Sequence, residues 1–209
     1  MTLHRPIDAG MPPGVLMVSD REDFGAIRSP GIEAMIWQRR PHAALQTWLD
    51  GLEPGLLPRM RVTLRPGQIR ATLTETFLCA GLPAVPERSL LIDDITFLAD
   101  VFSQTMCARW LRLRLDVVDT NACRRFHVDR VTARLVCTYR GTGTQYGVSP
   151  AGEPDVIHTV PTGAPFVMRG TLWPAGANHD LRHRSPPVAG TGETRLVLVL
   201  DPVTDPEEG

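Results

Sequence analysis

The chain has 209 residues, of which 43% are hydrophobic and 22% are charged, so its composition excludes wholesale disorder. The 22 basic residues nearly balance the 23 acidic ones and leave a formal net charge of -1, which argues against a nucleic-acid-binding surface or a membrane-surface patch. All 22 are arginine, and the absence of lysine excludes Schiff-base chemistry, an internal pyridoxal phosphate linkage and a P-loop lysine.

The N-terminal segment, residues 1–35, is rich in Pro, Gly and Asp and predicts irregular structure. Residues 33–37 at its end also fit a short strand or a turn of helix. A helix is predicted from Pro41 to about residue 52, because apolar residues recur there on one helical face. These residues are Leu45, Trp48, Leu49 and Leu52.

Two further elements are predicted before residue 109. Residues 69–73 fit a strand. A longer helix is expected from Pro86 to about Met106, because apolar residues recur there at spacings of four, three and four. These residues are Leu91, Ile95, Leu98 and Phe102. Such a stripe faces a hydrophobic core more often than a cofactor.

The spacing at which apolar residues recur changes from about 3.6 residues, typical of a helix, to 2 residues, typical of a strand, after Arg109. Apolar residues at 111, 113, 115 and 117 alternate with charged ones, which predicts a half-buried strand. Short strand-like runs follow, separated by Gly and Pro. They cover residues 125–129, 133–139, 156–159, 165–170 and 195–201. Many short strands with turn signals between them predict a barrel or a sandwich.

These elements predict an α+β protein with one main domain over residues 36–201. Its helical part covers 36–108 and its β core covers 109–201. The irregular segment 1–35 precedes it, and 202–209 is expected to be a frayed C-terminal tail.

The four cysteines form no CxxC pair, and residues 1–19 lack the layout of a secretory signal. The longest apolar run is far too short for a membrane span. Together these features predict a cytoplasmic protein with reduced thiols and no membrane partner.

The strongest chemical signal is an HxD pair, His127 and Asp129, on the predicted strand 125–129. Side chains two apart on a strand share a face, and His183 offers a third ligand after a Gly/Pro-rich region. Two histidines and one carboxylate form the facial triad of non-haem Fe(II) oxygenases. Arg195 opens the last predicted strand and could bind a 2-oxoglutarate carboxylate through both of its terminal nitrogens. The competing interpretation is a structural His127–Asp129 hydrogen-bonded pair with His183 as an ordinary loop residue.

Four stretches of the chain resemble a bacterial family known only as a domain of unknown function. They are CRRFHVD at 123–129, RLVCTYRGTGT at 134–144, HRSPP at 183–187 and RLVLVLD at 195–201. The likeness covers about residues 36–201. Members of that family often lie in zinc-responsive gene neighbourhoods beside CobW-type metallochaperone GTPases, so the resemblance implies metal biology and a CobW-type GTPase as a partner.

The same region is similar to the double-stranded β-helix, or jelly roll, of Fe(II)/2-oxoglutarate oxygenases. The order HxD, distal His and Arg in those enzymes corresponds to His127, Asp129, His183 and Arg195. One departure is Val197, which stands where many such enzymes carry a serine or another polar residue. The resemblance implies a β-helix core with the N-terminal helices packed on it.

Four other residues are candidates for the same site. Tyr139 is expected to hydrogen-bond a ligand carboxylate from the barrel interior, and Arg184 and Trp173 to contact the substrate. Each of the three also fits an ordinary structural role. Cys123 could complete a closed four-ligand Zn(II) site only if a sharp bend brought it to the metal.

Three hypotheses follow. The first is an Fe(II)- and 2-oxoglutarate-dependent oxygenase that hydroxylates a C–H bond. The second is a Zn(II)-binding protein of metal homeostasis with no oxygenase activity. The third is a structural or interaction domain without a metal.

Overall fold

The computed structural model describes residues 10–121, 123–174 and 180–204. Three α-helices lie in the first half of the chain: α1 (Ala43–Gly51), α2 (Ile69–Cys79) and α3 (Pro86–Met106). The predictions of α1 and α3 are confirmed, and the four apolar residues of the α3 stripe are buried. Helix α3 begins at a proline and ends before Cys107, whose φ of 52° is left-handed.

The strand predicted at 69–73 is wrong, because these residues begin helix α2. Ile69, Leu73 and Phe77 follow one another at four-residue spacing, and all three are fully buried. Two of the threonines between them donate their hydroxyls to the carbonyl four residues earlier: Thr72 to Gln68 and Thr74 to Arg70. Helical spacing therefore outweighs the strand preference of β-branched residues here.

Ten strands are present in the described residues. They are β1 (Val15–Val18), β2 (Ala34–Trp37), β3 (Met60–Leu64), β4 (Trp110–Val118), β5 (Ala133–Arg140), β6 (Gln145–Val148), β7 (His158–Thr159), β8 (Pro165–Arg169), β9 (Leu181–Arg184) and β10 (Arg195–Val203). Seven form a large sheet in the order β1-β2-β8-β5-β10-β4-β3, and three form a small sheet in the order β7-β6-β9. Only the β1–β2 pair is parallel; the other pairs are antiparallel.

Two of the boundary predictions are corrected. The segment 1–35 is not irregular throughout, because β1 pairs in parallel with β2 at the edge of the large sheet. Residues 1–9 lie outside the described residues. Strand β10 continues through Val203, because Val203 still pairs with Trp110 of β4, and so the predicted tail 202–209 begins later. Residues 205–209 lie outside the described residues.

The large sheet has two different faces. Odd-numbered residues of β4 and β5 join the helices in the main core, as Leu113 and Leu135 do. Even-numbered residues point the other way, and Val136 belongs to a second core formed with the small sheet. Side-chain alternation along each strand produces this division. The molecule thus has three layers: helices, large sheet and small sheet.

Residues 125–129 do not form the predicted strand. The described chain makes only an isolated antiparallel bridge there, between His127 and His183 of β9. This bridge places residue 127 beside the small sheet. None of the helices within the described ranges is long and apolar enough to cross a membrane.

Candidate metal centre

The backbone brings His127 and His183 side by side. Each residue donates its N–H to the carbonyl of the other, at 3.0 Å in both directions. Directly opposed residues of an antiparallel pair hold their side chains on the same face. The two imidazole rings accordingly lie with their centroids 4.6 Å apart.

Asp129 is the third member of the group and lies close to both imidazole rings. Its Oδ1 lies 3.5 Å from Nε2 of His127, and its Oδ2 lies 3.1 Å from Nε2 of His183. Ligand atoms of the three residues all lie within 4.8 Å of one another. The Oδ2 atom is buried, yet its geometry gives it no hydrogen bond in the described chain. A divalent cation among these atoms would satisfy that oxygen, so the donor set fits a metal.

The tautomer of His127 also suits a metal ligand. Its Nδ1 lies 2.9 Å from the carbonyl oxygen of Arg125, so Nδ1 carries the proton and donates it. The lone pair of Nε2 then faces Asp129 and His183. Metal-bound histidines commonly donate their second ring N–H to a backbone carbonyl in this way.

Asp129 is held by a half-buried arginine as well. Nη1 of Arg134 lies 2.5 Å from Oδ1 of Asp129, and Arg134 also donates two hydrogen bonds to Asp201, at 2.6 and 2.8 Å. Burial alone would raise the pKa of Asp129. The adjacent imidazoles of His127 and His183 and the charge of Arg134 outweigh burial and lower that pKa well below its usual range. The carboxylate is therefore ionised and ready to bind a cation.

The pKa values of the two histidines are shifted in opposite directions. The adjacent carboxylate of Asp129 raises the pKa of His127 above its ordinary value. Burial lowers the pKa of His183, in spite of the attraction of Asp129 for its proton. The lowered pKa favours the neutral form of His183, which is the form that binds metals.

Arg195 lies buried in the same cleft, with 2% of its surface exposed. Three of its five N–H groups meet neutral acceptors: the carbonyl of Thr142 and the hydroxyls of Ser185 and Thr138, at 2.6, 2.6 and 3.3 Å. One N–H on each terminal nitrogen remains. No carboxylate in the described ranges forms an ion pair with it, and burial lowers its pKa to about 10.

A cleft of about 150 Å³ joins the two histidines to Arg195. Its floor is the face of the large sheet that carries even-numbered residues of β4 and β5 and odd-numbered residues of β10, among them Val136, Val197 and Val199. Arg184 also lines it. Nε of Arg184 donates to the side chain of Gln145 at 2.8 Å, and its guanidinium lies over the ring of Phe126.

Two of the sequence-predicted residues lie elsewhere. Tyr139 is an odd-numbered residue of β5 and faces the helices, where its hydroxyl donates to Asp94 at 2.5 Å; the prediction that it contacts a ligand in the cleft is wrong. The ring of Trp173 packs under the guanidinium of Arg169 and against the main core, so the prediction of a substrate contact is also corrected.

Cys123 lines the cleft mouth but is exposed, and it is not part of the group of converging ligand atoms. Its φ is 54°, so the chain does turn at this residue. The turn directs its backbone to Ser185, whose N–H donates to the carbonyl of Cys123 at 3.2 Å. Cys123, which the zinc alternative needs as a fourth ligand, is thus not brought to the other three, in line with the open site that the sequence analysis favours.

The sequence interpretation missed four polar residues of the site: Arg134, Thr138, Ser185 and Arg114. Arg134 and Thr138 lie on the even-numbered face of β5, and Arg114 lies on the corresponding face of β4. Strand alternation could have identified all three, since the odd-numbered faces are apolar. Ser185 follows His183 by two residues, which is weaker evidence for a place at the site than the alternation along β4 and β5.

Residues 19–201 match the family described as "Protein of unknown function (DUF1826)". No curated protein matches the chain in sequence. Two plant enzymes of known structure are similar in fold. The dioxygenase for auxin oxidation from rice has a TM-score of 0.52 at 15% identity, over 92% of this chain and 83% of that one. The 2-oxoglutarate complex of dioxygenase for auxin oxidation 1 from Arabidopsis thaliana has a TM-score of 0.55 at 9% identity, over 92% of both chains. At such identities the likeness shows a shared fold.

Proposed function

The chain belongs to the DUF1826 family, and we propose that it is an Fe(II)- and 2-oxoglutarate-dependent oxygenase built on a double-stranded β-helix. The observation that carries the proposal is one cleft holding both an open His–Asp–His group and a buried arginine without a carboxylate partner. The fold shared with a dioxygenase solved with 2-oxoglutarate supports it.

Each residue has a distinct role in this proposal. His127, Asp129 and His183 would hold Fe(II) and leave its other positions free for ligands. The two remaining N–H groups of Arg195 would bind the far carboxylate of 2-oxoglutarate. Thr138 and Ser185 fix the guanidinium in place and supply the polar partners that Val197 cannot.

The bound iron and its cosubstrate would supply the oxidising chemistry: one oxygen atom of O₂ enters a C–H bond of the substrate, the other enters succinate, and CO₂ is released. The chain contributes orientation and exclusion of water. The buried valines of the cleft floor keep the region between the metal ligands and Arg195 apolar.

The test is a titration of the metal-free protein under anaerobic conditions. Fe(II) should bind in a 1:1 ratio, and 2-oxoglutarate should then bind to the Fe(II) form with a charge-transfer absorption. The Asp129→Asn variant should lose both signals. Tight Fe(II) binding with no affinity for 2-oxoglutarate would overturn the oxygenase proposal.

The zinc-homeostasis alternative depends on Cys123, because a closed four-ligand site suits structural or stored Zn(II). Cys123→Ser should leave metal affinity unchanged if the site is open, as the exposed position of this thiol favours. Loss of tight Zn(II) binding in that variant would favour the zinc protein instead. A CobW-type GTPase as partner and a cytoplasmic location stay predictions.

A further inference from the structure

A further cation of the cleft, Arg114, has a buried N–H without an acceptor among the described residues. Arg114 projects from the even-numbered face of β4 into the cleft that His127 and His183 also line. Its Nε is buried and has no hydrogen-bond partner in the described chain. A buried donor left unsatisfied costs free energy, so an absent acceptor is indicated.

The nearest carboxylates do not supply that acceptor. Nη2 of Arg114 lies 3.7 Å from Asp201, and Nη1 lies 4.0 Å from Asp116, both beyond hydrogen-bond distance. Asp201 already accepts two short hydrogen bonds from Arg134. The carboxylate of Asp201 is therefore paired mainly with Arg134 and not with Arg114.

Two neighbouring positive charges, on Arg61 and Arg134, also destabilise the charged form of Arg114. Arg61 of β3 lies directly opposite Arg114 in the antiparallel register, so the two side chains leave the same face of the sheet. Burial, and after it the charge of Arg134, lowers the pKa of Arg114. Like charges opposed across a sheet are destabilising unless an anion lies between or beside them.

We propose that the substrate carries an anionic group, a carboxylate or a phosphate, and that Arg114 binds it beside the metal ligands. This inference rests on the proposed oxygenase function and specifies its substrate class. Arg195 holds the cosubstrate at one end of the cleft floor, and Arg114 holds the substrate at the β4 side. A guanidinium with a free Nε can present two parallel N–H groups to either kind of anion.

The experiment uses Mn(II) in place of Fe(II), with 2-oxoglutarate present to occupy Arg195. Proton relaxation by the bound Mn(II) reports whether small probes bind near the metal. Butanoate and ethyl phosphate represent the two anion classes, and butanamide is a neutral probe of matched size. We expect at least one anion, and not butanamide, to show enhanced relaxation.

The variant Arg114→Gln should weaken that anion's binding by about tenfold or more, because a charge-assisted hydrogen bond is lost. Arg114→Lys keeps the charge and should give an intermediate loss. Arg70→Gln is the control, since it removes the same charge from the exposed surface of α2. Circular dichroism should show the same fold in all variants.

The outcomes separate the two proposals. If 2-oxoglutarate binds and neither anion depends on Arg114, the substrate inference is overturned and the oxygenase proposal stands. If 2-oxoglutarate does not bind but an anion still depends on Arg114, the anion site stands and the oxygenase proposal fails. Should the protein not take up Mn(II), calorimetry of the same probes on wild type, Arg114→Gln and Arg195→Gln decides which arginine binds the anion.

Discussion

Two partly buried arginine–aspartate networks lie on opposite faces of strand β5, and they differ in which polar atoms they leave without a hydrogen bond. On the helix side, Arg39 donates two hydrogen bonds to Asp94, at 2.5 and 2.7 Å, and Tyr139 donates a third to the same carboxylate. On the cleft side, Arg134 joins Asp129 to Asp201, yet Oδ2 of Asp129 has no hydrogen bond from any residue that the structure describes.

The difference shows that unsatisfied polar atoms, and not cavity size, identify the candidate site. The helix-side network borders a cavity of about 300 Å³, larger than the cleft of about 150 Å³. A network in which every strong donor and acceptor has a hydrogen-bond partner is accounted for by its structural role and needs no ligand. An unsatisfied one needs a ligand to complete it.

Thiol labelling gives the largest expected contrast between the faces. Cys137 lies fully buried on the helix side, where burial raises its pKa to about 12, whereas Cys123 is exposed at the cleft. At pH 8 the thiolate of Cys137 should be about a thousandfold scarcer than that of an ordinary cysteine. Iodoacetamide should label Cys123 in the native protein and Cys137 only after unfolding, as followed by peptide mass spectrometry. Equal labelling rates would show that the helix side is open to solvent.

Asp129→Asn tests the cleft side directly. Replacing a charged ligand by a neutral amide should weaken Fe(II) or Mn(II) binding by about 100-fold, measured by competition with a chelator. Asp116→Asn is the matched control, because it removes the same charge from the cleft rim and lies outside the ligand group. Wild-type affinity in Asp129→Asn would contradict the site.

Asp94→Ala tests the helix side. It leaves Arg39 and the hydroxyl of Tyr139 without their acceptor, and we expect the free energy of unfolding to fall by about 2 kcal/mol, below the value for fully buried pairs because Arg39 and Asp94 are partly exposed. Metal affinity should not change. The control is Asp93→Ala, whose partner Arg70 is exposed, and it should cost about 0.5 kcal/mol or less in urea unfolding. A loss of metal affinity in Asp94→Ala would mean that the two faces are coupled.

Arg195→Lys gives the smallest expected effect. The charge remains but the two-pronged contact is lost, so 2-oxoglutarate affinity should fall by about tenfold while metal affinity is kept. Calorimetry with the Mn(II) form measures both. The corresponding change in the helix-side network, Arg39→Lys, should leave 2-oxoglutarate affinity alone. Equal 2-oxoglutarate affinity in Arg195→Lys and wild type would remove the cosubstrate assignment.

The elements that sequence analysis predicted well are those with a long, regular period. Helix α3 and strand β4 present unbroken apolar stripes, and both were predicted to within a residue or two. Strands β3, β6 and β9 were missed because each has only four or five residues and carries arginine, glycine or glutamine among them. Their pairing depends on neighbouring strands and not on their own composition.

The site was predictable in its residue types and not in its geometry. The HxD motif, the later His183 and Arg195 were all named from the sequence, and the structure brings them to one cleft. Tyr139 was assigned to the wrong face, although its odd number places it with Leu135 in the main core. The role of Arg134 required knowing that β5 and β10 are adjacent, a contact between distant parts of the chain.

The bridge between His127 and His183 also bears on how the protein folds. The chain between them contains β5, β6, β7 and β8, so the bridge closes a long loop at an entropic cost. A cation bound by both residues would act as a reversible cross-link across that loop. It would stabilise the native state, because the unfolded chain does not hold the two residues together. Resistance of the protein to proteolysis should therefore rise with metal concentration.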